Sequence, residues 1–108
     1  YELLLGLVGS EMCRRDRHGG IVYALMDVAC FFAAASRLPP EQHAVTIETH
    51  SSVLRAASRG EQVVIRAHVD RLGRTLAAMR AEAYAINAQQ QERLIATGSV
   101  TKAIVQTT

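Results

Sequence analysis

His18-Gly19-Gly20-Ile21-Val22-Tyr23-Ala24-Leu25-Met26-Asp27-Val28-Ala29-Cys30-Phe31-Phe32-Ala33-Ala34-Ala35-Ser36 is the stretch on which the fold turns. Between Gly20 and Ser36, 14 residues are hydrophobic. That length favours one helix over a strand, and apolar side chains fall on every side of it. A helix that is apolar all round has to be wrapped by other elements. Pro39-Pro40 closes the run, because proline cannot continue a helix. The run is short for a membrane span, and Asp27 in its middle argues against one.

Outward from this helix the texture is that of strands. Residues 1–8 are apolar and short and read as a strand, and residues 9–17 are polar and irregular. Val45, Ile47 and Thr49 alternate with Thr46, Glu48 and His50; Val63, Ile65, Ala67 and Val69 are interleaved with Gln62, Arg66 and His68. Both are period-two patterns, hence strands. Leu72-Gly73 between Arg71 and Arg74 reads as a hairpin turn, and residues 94–105 are β-compatible. Residues 75–91 stay open. Their Ala, Met, Glu, Arg and Gln content favours helix, yet Leu76, Ala78, Arg80, Glu82, Tyr84 and Ile86 fit one side of a strand. Strand, one buried helix, then several strands is an α+β order, with an antiparallel sheet packed on the helix.

The chain has 108 residues, the usual size of one domain, so residues 1–108 read as a single unit. Tyr1 stands where Met would begin a natural chain, so the N-terminus reads as truncated. At 49 % hydrophobic and a formal charge of +2, the chain is not of the disordered class. Its apolar content is peculiar in kind, because 17 residues are Ala. Each buries little area, which leaves a lone domain short of core. The basic residues are scattered and the five aromatics badly spaced, so no nucleic-acid surface is indicated. Cys13 and Cys30 suggest no disulfide scaffold, and Cys30 reads as a core residue of a reduced, cytoplasmic protein. His43, His50 and His68 show no metal-ligand spacing, so no metal is expected. Met26 and Met79 read as core fillers.

Asp27 is the only carboxylate or cationic side chain between Gly20 and Ser36. Buried and unpaired it would cost several kcal/mol, and such positions are often functional. The bland alternative is that it faces solvent or a backbone partner. His18-Gly19-Gly20 stands at the predicted start of the helix. Glycine permits close approach of a substrate to the backbone, and free N–H groups at a helix start favour developing negative charge. Asp27 lies about two and a half turns further on, so the two ends meet at one carbonyl only if two helices lie side by side.

His18-Gly19-Gly20 followed by six residues and Asp27 resembles the HGG-x6-D signature of hotdog-fold acyl-CoA thioesterases. It is most similar to the phenylacetate-pathway (PaaI-like) group of the 4-hydroxybenzoyl-CoA thioesterase superfamily. Ser52-Val53-Leu54-Arg55-Ala56 resembles the group's D-F-L-R-P strand end, and Arg71-Leu72-Gly73-Arg74-Thr75-Leu76 its G-[KR]-T-L hairpin. The likeness covers nearly the whole chain.

The resemblance implies a curved antiparallel sheet around one central helix (about residues 20–36), which makes residues 75–86 strand. It implies a homodimer as the minimal active unit, a homotetramer built from it, acyl-CoA as substrate, and no cofactor besides the substrate's own CoA. The Gly19 N–H would bind the thioester carbonyl oxygen, with Gly20 beside it and His18 shaping the entrance. Asp27 of the other subunit would act as nucleophile or general base. Thr46 would help hold the water. Gly73, Arg74, Thr75 and, more weakly, Arg55 would meet CoA. There is one departure: Met12 stands where many members have an Asn, and Arg15 where a Gly is usual. Arg14 or Asp16 falls near the place of the missing Asn. Three functions compete: hydrolysis of a small, medium-chain or aryl acyl-CoA, acyl-CoA binding without catalysis, and dehydration of a hydroxyacyl thioester, which the spacing fits poorly.

Overall fold

The computed structural model describes residues 2–7, 15–58 and 60–106, with only the backbone described for residues 3–7 and 15–20. Helix α1 spans Arg15–Ala35. It already includes residues 15–19 ahead of Gly20, because Arg15, Asp16 and Arg17 include no residue that breaks a helix. It ends where expected: the Ser36 N–H still reaches the Phe32 carbonyl at 3.0 Å, and the Ser36 hydroxyl donates to the Ala33 carbonyl at 2.8 Å.

Five strands follow the predicted order: β1 (Glu2–Leu7) before α1, then β2 (Gln42–Val53), β3 (Gln62–Leu72), β4 (Leu76–Ile86) and β5 (Glu92–Gln106). They form one sheet in the order β1-β3-β4-β5-β2, with every pair antiparallel. The register slips once in each pair, at Leu4/Gly6, Thr46/Glu48, Val69/Arg71 and Ala83/Tyr84. Such bulges bend a strand and increase its twist. The sheet thereby curves around α1, which touches β2, β3, β4 and β5.

Residues 75–91, open by pattern and strand as far as Ile86 by the resemblance, form strand β4 followed by a turn. β4 is hydrogen-bonded on both sides, to β3 and β5. Two full ladders outweigh an intrinsic helix preference of a few tenths of a kcal/mol per residue. Ala77, Met79, Ala81, Ala83 and Ala85 face the core, and the alternate residues Leu76 to Ile86 face out. The small side chains let the sheet lie close to the helix.

Val22, Met26, Ala29, Cys30, Ala33 and Ala34 supply the helix side of the core, against Val63, Ile65, Ala67, Ile95, Ala96 and Val100 of the sheet. Cys30, Met26 and Met79 are thus buried as expected. The helix is not wrapped on all sides, however. Tyr23, Val28, Phe31 and Phe32 are 38–45 % exposed. One sheet of alanine-rich strands covers only one face of α1, so the other apolar face is left bare within the chain. Val45 and Ile47 are bare as well, on β2, which is an edge strand.

Candidate active site

Asp27 stands on α1 at the border between the buried residues Met26 and Cys30 and the exposed Val28 and Phe31. Residues four apart share a helix face, so Tyr23, Asp27 and Phe31 form one stripe. The sheet answers that stripe with a bulge. Skipping Ile47 in the β2–β5 register lets both Thr46 and Thr49 turn toward α1, on either side of the irregularity. The Tyr23 hydroxyl is hydrogen-bonded to the Thr49 hydroxyl. The Thr46 hydroxyl donates to Asp27 Oδ1 at 2.8 Å.

The third member was missed by sequence reasoning. Lys102 is directly opposite Thr46 across the β2–β5 ladder. Its side chain is only 2 % exposed, whereas that of Asp27 is 37 % exposed. Lys102 Nζ donates to Thr46 Oγ1 at 2.6 Å and to Asp27 Oδ1 at 3.3 Å. The Phe31 ring lies 5.9 Å away, at the edge of cation–π range. A signal existed: Lys102 is the chain's one lysine, and it falls in phase with Val100 and Ile104 on a strand. A cation in the apolar phase of a strand calls for a buried anion.

The bases of this cluster are packed tightly. A cleft of about 10 Å³ lies beside Asp27, lined by Tyr23, Met26, Thr49, His50, Gly98 and Val100 among others. That is about the space one water needs. A Cβ at Gly98 would stand 3.2 Å from the His50 carbonyl oxygen and 3.3 Å from Met26 Cε, so a side chain there would crowd the floor. Cys30 lies beneath. Burial pushes its thiol up to about 11; the Lys102 charge opposes that and the Asp27 charge adds to it.

The other residues singled out above divide into groups. Gly73, Arg74 and Thr75 form the β3–β4 turn, closed by the Gly73 N–H on the Leu76 carbonyl at 2.8 Å. With Arg71, Leu76 and Thr101 they line a cleft of about 340 Å³. The Thr75 carbonyl accepts from the Ile104 N–H at 2.9 Å, which puts this turn at the same end of β5 as Lys102. Arg55 is elsewhere. Its N–H reaches the Ile95 carbonyl at 3.3 Å, seven residues or about 23 Å along β5 from Lys102. One chain therefore brings the turn residues together and keeps Arg55 apart from them.

His18, Gly19 and Gly20 lie within α1, with Gly19 its fifth residue. In an unbroken helix the Gly19 N–H donates to the Arg15 carbonyl. Gly19 and Asp27 are about 12 Å apart along the axis, so within one chain they do not meet at one carbonyl. Met12 and Arg14 lie outside the described residues; Arg15 and Asp16 are in the first turn of α1. Among the described residues no three His, Cys, Asp or Glu gather as a metal ion would require. No described helix is long and apolar enough to cross a membrane.

Residues 17–91 match the family model described as the thioesterase superfamily, more than half of the chain. The chain belongs to the thioesterase superfamily. Its curved sheet on one helix is the hotdog fold. It is similar to a thioesterase family protein from Silicibacter pomeroyi, with a TM-score of 0.85 and 34 % identity over 97 % of this chain and 76 % of that one. A protein from Bacillus halodurans solved with CoA shares the fold, with a TM-score of 0.81 and 20 % identity over 99 % and 68 %. A curated relative, a putative esterase from Deinococcus radiodurans, is 48 % identical over 65 residues, 60 % of this chain. That match spans 42 % of the relative's length.

Proposed function

We propose that this thioesterase-superfamily chain hydrolyses an acyl-CoA thioester to the free acid and CoA, with Asp27 as general base toward water. The observation that carries this is the way Asp27 is held. Its Oδ1 takes the Thr46 hydroxyl and the Lys102 ammonium, while no donor among the described residues meets Oδ2. A carboxylate fixed by one oxygen and open at the other is arranged to accept a proton.

In the reaction, an O–H bond of water breaks and its proton passes to Oδ2. The water oxygen bonds to the thioester carbonyl carbon, and the C–S bond then breaks. The sulfur leaves with the proton returned from Asp27. Direct attack by Oδ2, giving a mixed anhydride, would use the same free oxygen. The one proton of the Thr46 hydroxyl is given to Asp27, so toward a water Thr46 acts as an acceptor.

The carbonyl oxygen needs a donor, and the donor end of the same helix is too far from Asp27. A second copy supplies it: the bare apolar face of α1 and the open edge of β2 are what a partner would cover. In such a homodimer Gly19 of one subunit, flanked by His18 and Gly20, faces Asp27 of the other. The Gly19 N–H must then leave its helical bond when the carbonyl docks, which glycine's weak helix preference makes cheap. Two dimers together would make the homotetramer that the PaaI-like resemblance implies. Gly73, Arg74 and Thr75 would meet the CoA phosphates, a cation suiting phosphate, with Arg55 contributing from its own end. The CoA found with the Bacillus halodurans protein supports CoA as the carrier; no cofactor besides it is invoked.

The test is a free-thiol assay across aliphatic and aryl acyl-CoAs, run beside Asp27→Asn. Thiol release by the wild type and its loss in the variant are expected. Saturable CoA-ester binding with no thiol release across the panel would replace hydrolysis with ligand sensing.

A further inference from the structure

We propose that Lys102 is a positioning residue for this reaction: it locks the Thr46 hydroxyl onto Asp27 and so presents Oδ2, rather than Oδ1, to the water. The inference rests on the hydrolytic reading of the site given above.

The direction of the hydrogen bonds is forced by donor inventory. An ammonium has three donors and no acceptor. At 2.6 Å from Lys102 Nζ, Thr46 Oγ1 must accept. The single hydroxyl proton of Thr46 is then free to point only elsewhere, and Asp27 Oδ1 stands 2.8 Å away. The chain of donation therefore runs from Nζ through Oγ1 to Oδ1. The direct contact of Nζ with Oδ1 at 3.3 Å reinforces the same oxygen.

Without the ammonium, a threonine hydroxyl can reverse. It could accept from water and release Asp27, whose carboxylate is 37 % exposed and otherwise free to rotate. With the ammonium in place, reversal would set two donors against each other. Burial strengthens the constraint. Lys102 has almost no contact with water, and its field on Oγ1 and Oδ1 is accordingly little screened. The three residues also come from three elements, α1, β2 and β5. Lys102 thus ties the helix to the two strands at the point where the carboxylate must hold its angle. Shifts of about 1 Å at such a point can cost a hundredfold in rate.

The test compares Lys102→Met, Thr46→Val, the double variant and Thr46→Ser, by kcat, KM and crystal structures alongside the wild type. Lys102→Met is expected to lower kcat about 10- to 100-fold with KM little changed, and to leave the Thr46 and Asp27 side chains in more than one rotamer. The double variant is expected to be no slower than Thr46→Val, since Lys102 acts through that hydroxyl. Thr46→Ser, which keeps the hydroxyl, is expected to keep most of the rate. Should Lys102→Met fail to fold, Lys102→Leu, which likewise removes every donor, is read the same way. Unchanged kcat in the Lys102 variant, or losses that multiply in the double variant, would overturn the proposal. If the wild type proves to hydrolyse no thioester, the hydrolytic reading fails by itself. The rotamers in the Lys102→Met crystal then decide the positioning role alone: scattered supports it, unchanged overturns it.

Discussion

Thr46 and Lys102 face each other across the β2–β5 ladder, and the Lys102 ammonium reaches the Thr46 hydroxyl at 2.6 Å with almost no access to solvent. A cross-strand pair of this kind ordinarily contributes about 0.2–1 kcal/mol. Here it also connects a buried cation to its one close carboxylate among the described residues, Asp27. Stability and the proposed chemistry are therefore coupled at Asp27.

That coupling separates two substitutions of Asp27. Asp27→Asn keeps an acceptor for the Thr46 hydroxyl, whereas Asp27→Ala leaves a buried ammonium without its partner. Both are expected to lose turnover by about 100- to 10,000-fold, the usual contribution of a general base. Asp27→Ala is also expected to cost about 1–3 kcal/mol, lowering Tm by roughly 4–8 °C per kcal/mol. Adding Lys102→Met to Asp27→Ala should recover most of that loss. Thermal melts at one protein concentration measure it. An Asp27→Ala protein as stable as wild type would show that Lys102 does not depend on the carboxylate.

The bare β2 edge makes a second prediction. Ile47 is 58 % exposed on the outer side of that strand. A lysine on an edge strand blocks pairing with another chain, so Ile47→Lys is expected to yield a smaller species in sedimentation and to lose hydrolysis while retaining its circular dichroism. An active monomer would remove the need for a second subunit.

Cys30 makes a pH prediction. Burial raises its thiol from 9.0 to about 11 in the folded chain. Folding therefore favours the protonated thiol. The contribution is full below pH 9 and is lost as pH rises through the folded value, over roughly pH 9–11. The span corresponds to about 2–3 kcal/mol. Urea melts of wild type and Cys30→Ala, at pH 8 and pH 11, should show a stability gap that narrows at the higher pH. A constant gap would mean that Cys30 matters only by packing.

Arg74 can be separated from the chemistry by truncating the substrate. Arg74→Ala is expected to raise KM for an acyl-CoA about tenfold, equivalent to ~1.4 kcal/mol, with kcat unchanged. With an N-acetylcysteamine thioester, which has no phosphates, the variant and the wild type should have the same KM. Equal losses on both substrates would place Arg74 away from the phosphates.

Much of this molecule is legible in its sequence. The helix through Asp27, the period-two strands, the hairpin at Gly73 and the α+β order all rest on local patterns of apolar side chains. The odd carboxylate of α1 was visible because a charge in an apolar run is costly wherever it lies. The helix extends ahead of Gly20, since nothing between Arg15 and Arg17 marks a boundary. The alternation of Val45, Ile47 and Thr49 was visible, but not that the bulge at Ile47 breaks its phase. A bulge is an agreement between two strands, and β5 is some fifty residues away from β2.

The sequence by itself determined the class of fold, the place of the central helix and the identity of the one acid in its apolar run, because hydrophobic period and helix propensity act over a few residues. The alanine-rich composition was also a correct warning: one face of α1 stays bare. Residues 76–86, open by pattern and strand by the family resemblance, are held as strand by their two ladders, and only the tertiary structure decided that Lys102 closes a relay through Thr46 onto Asp27. Those outcomes depend on ladders, bulges and the pairing of buried charge, which join residues 19 to 75 positions apart and exist only once the chain has folded.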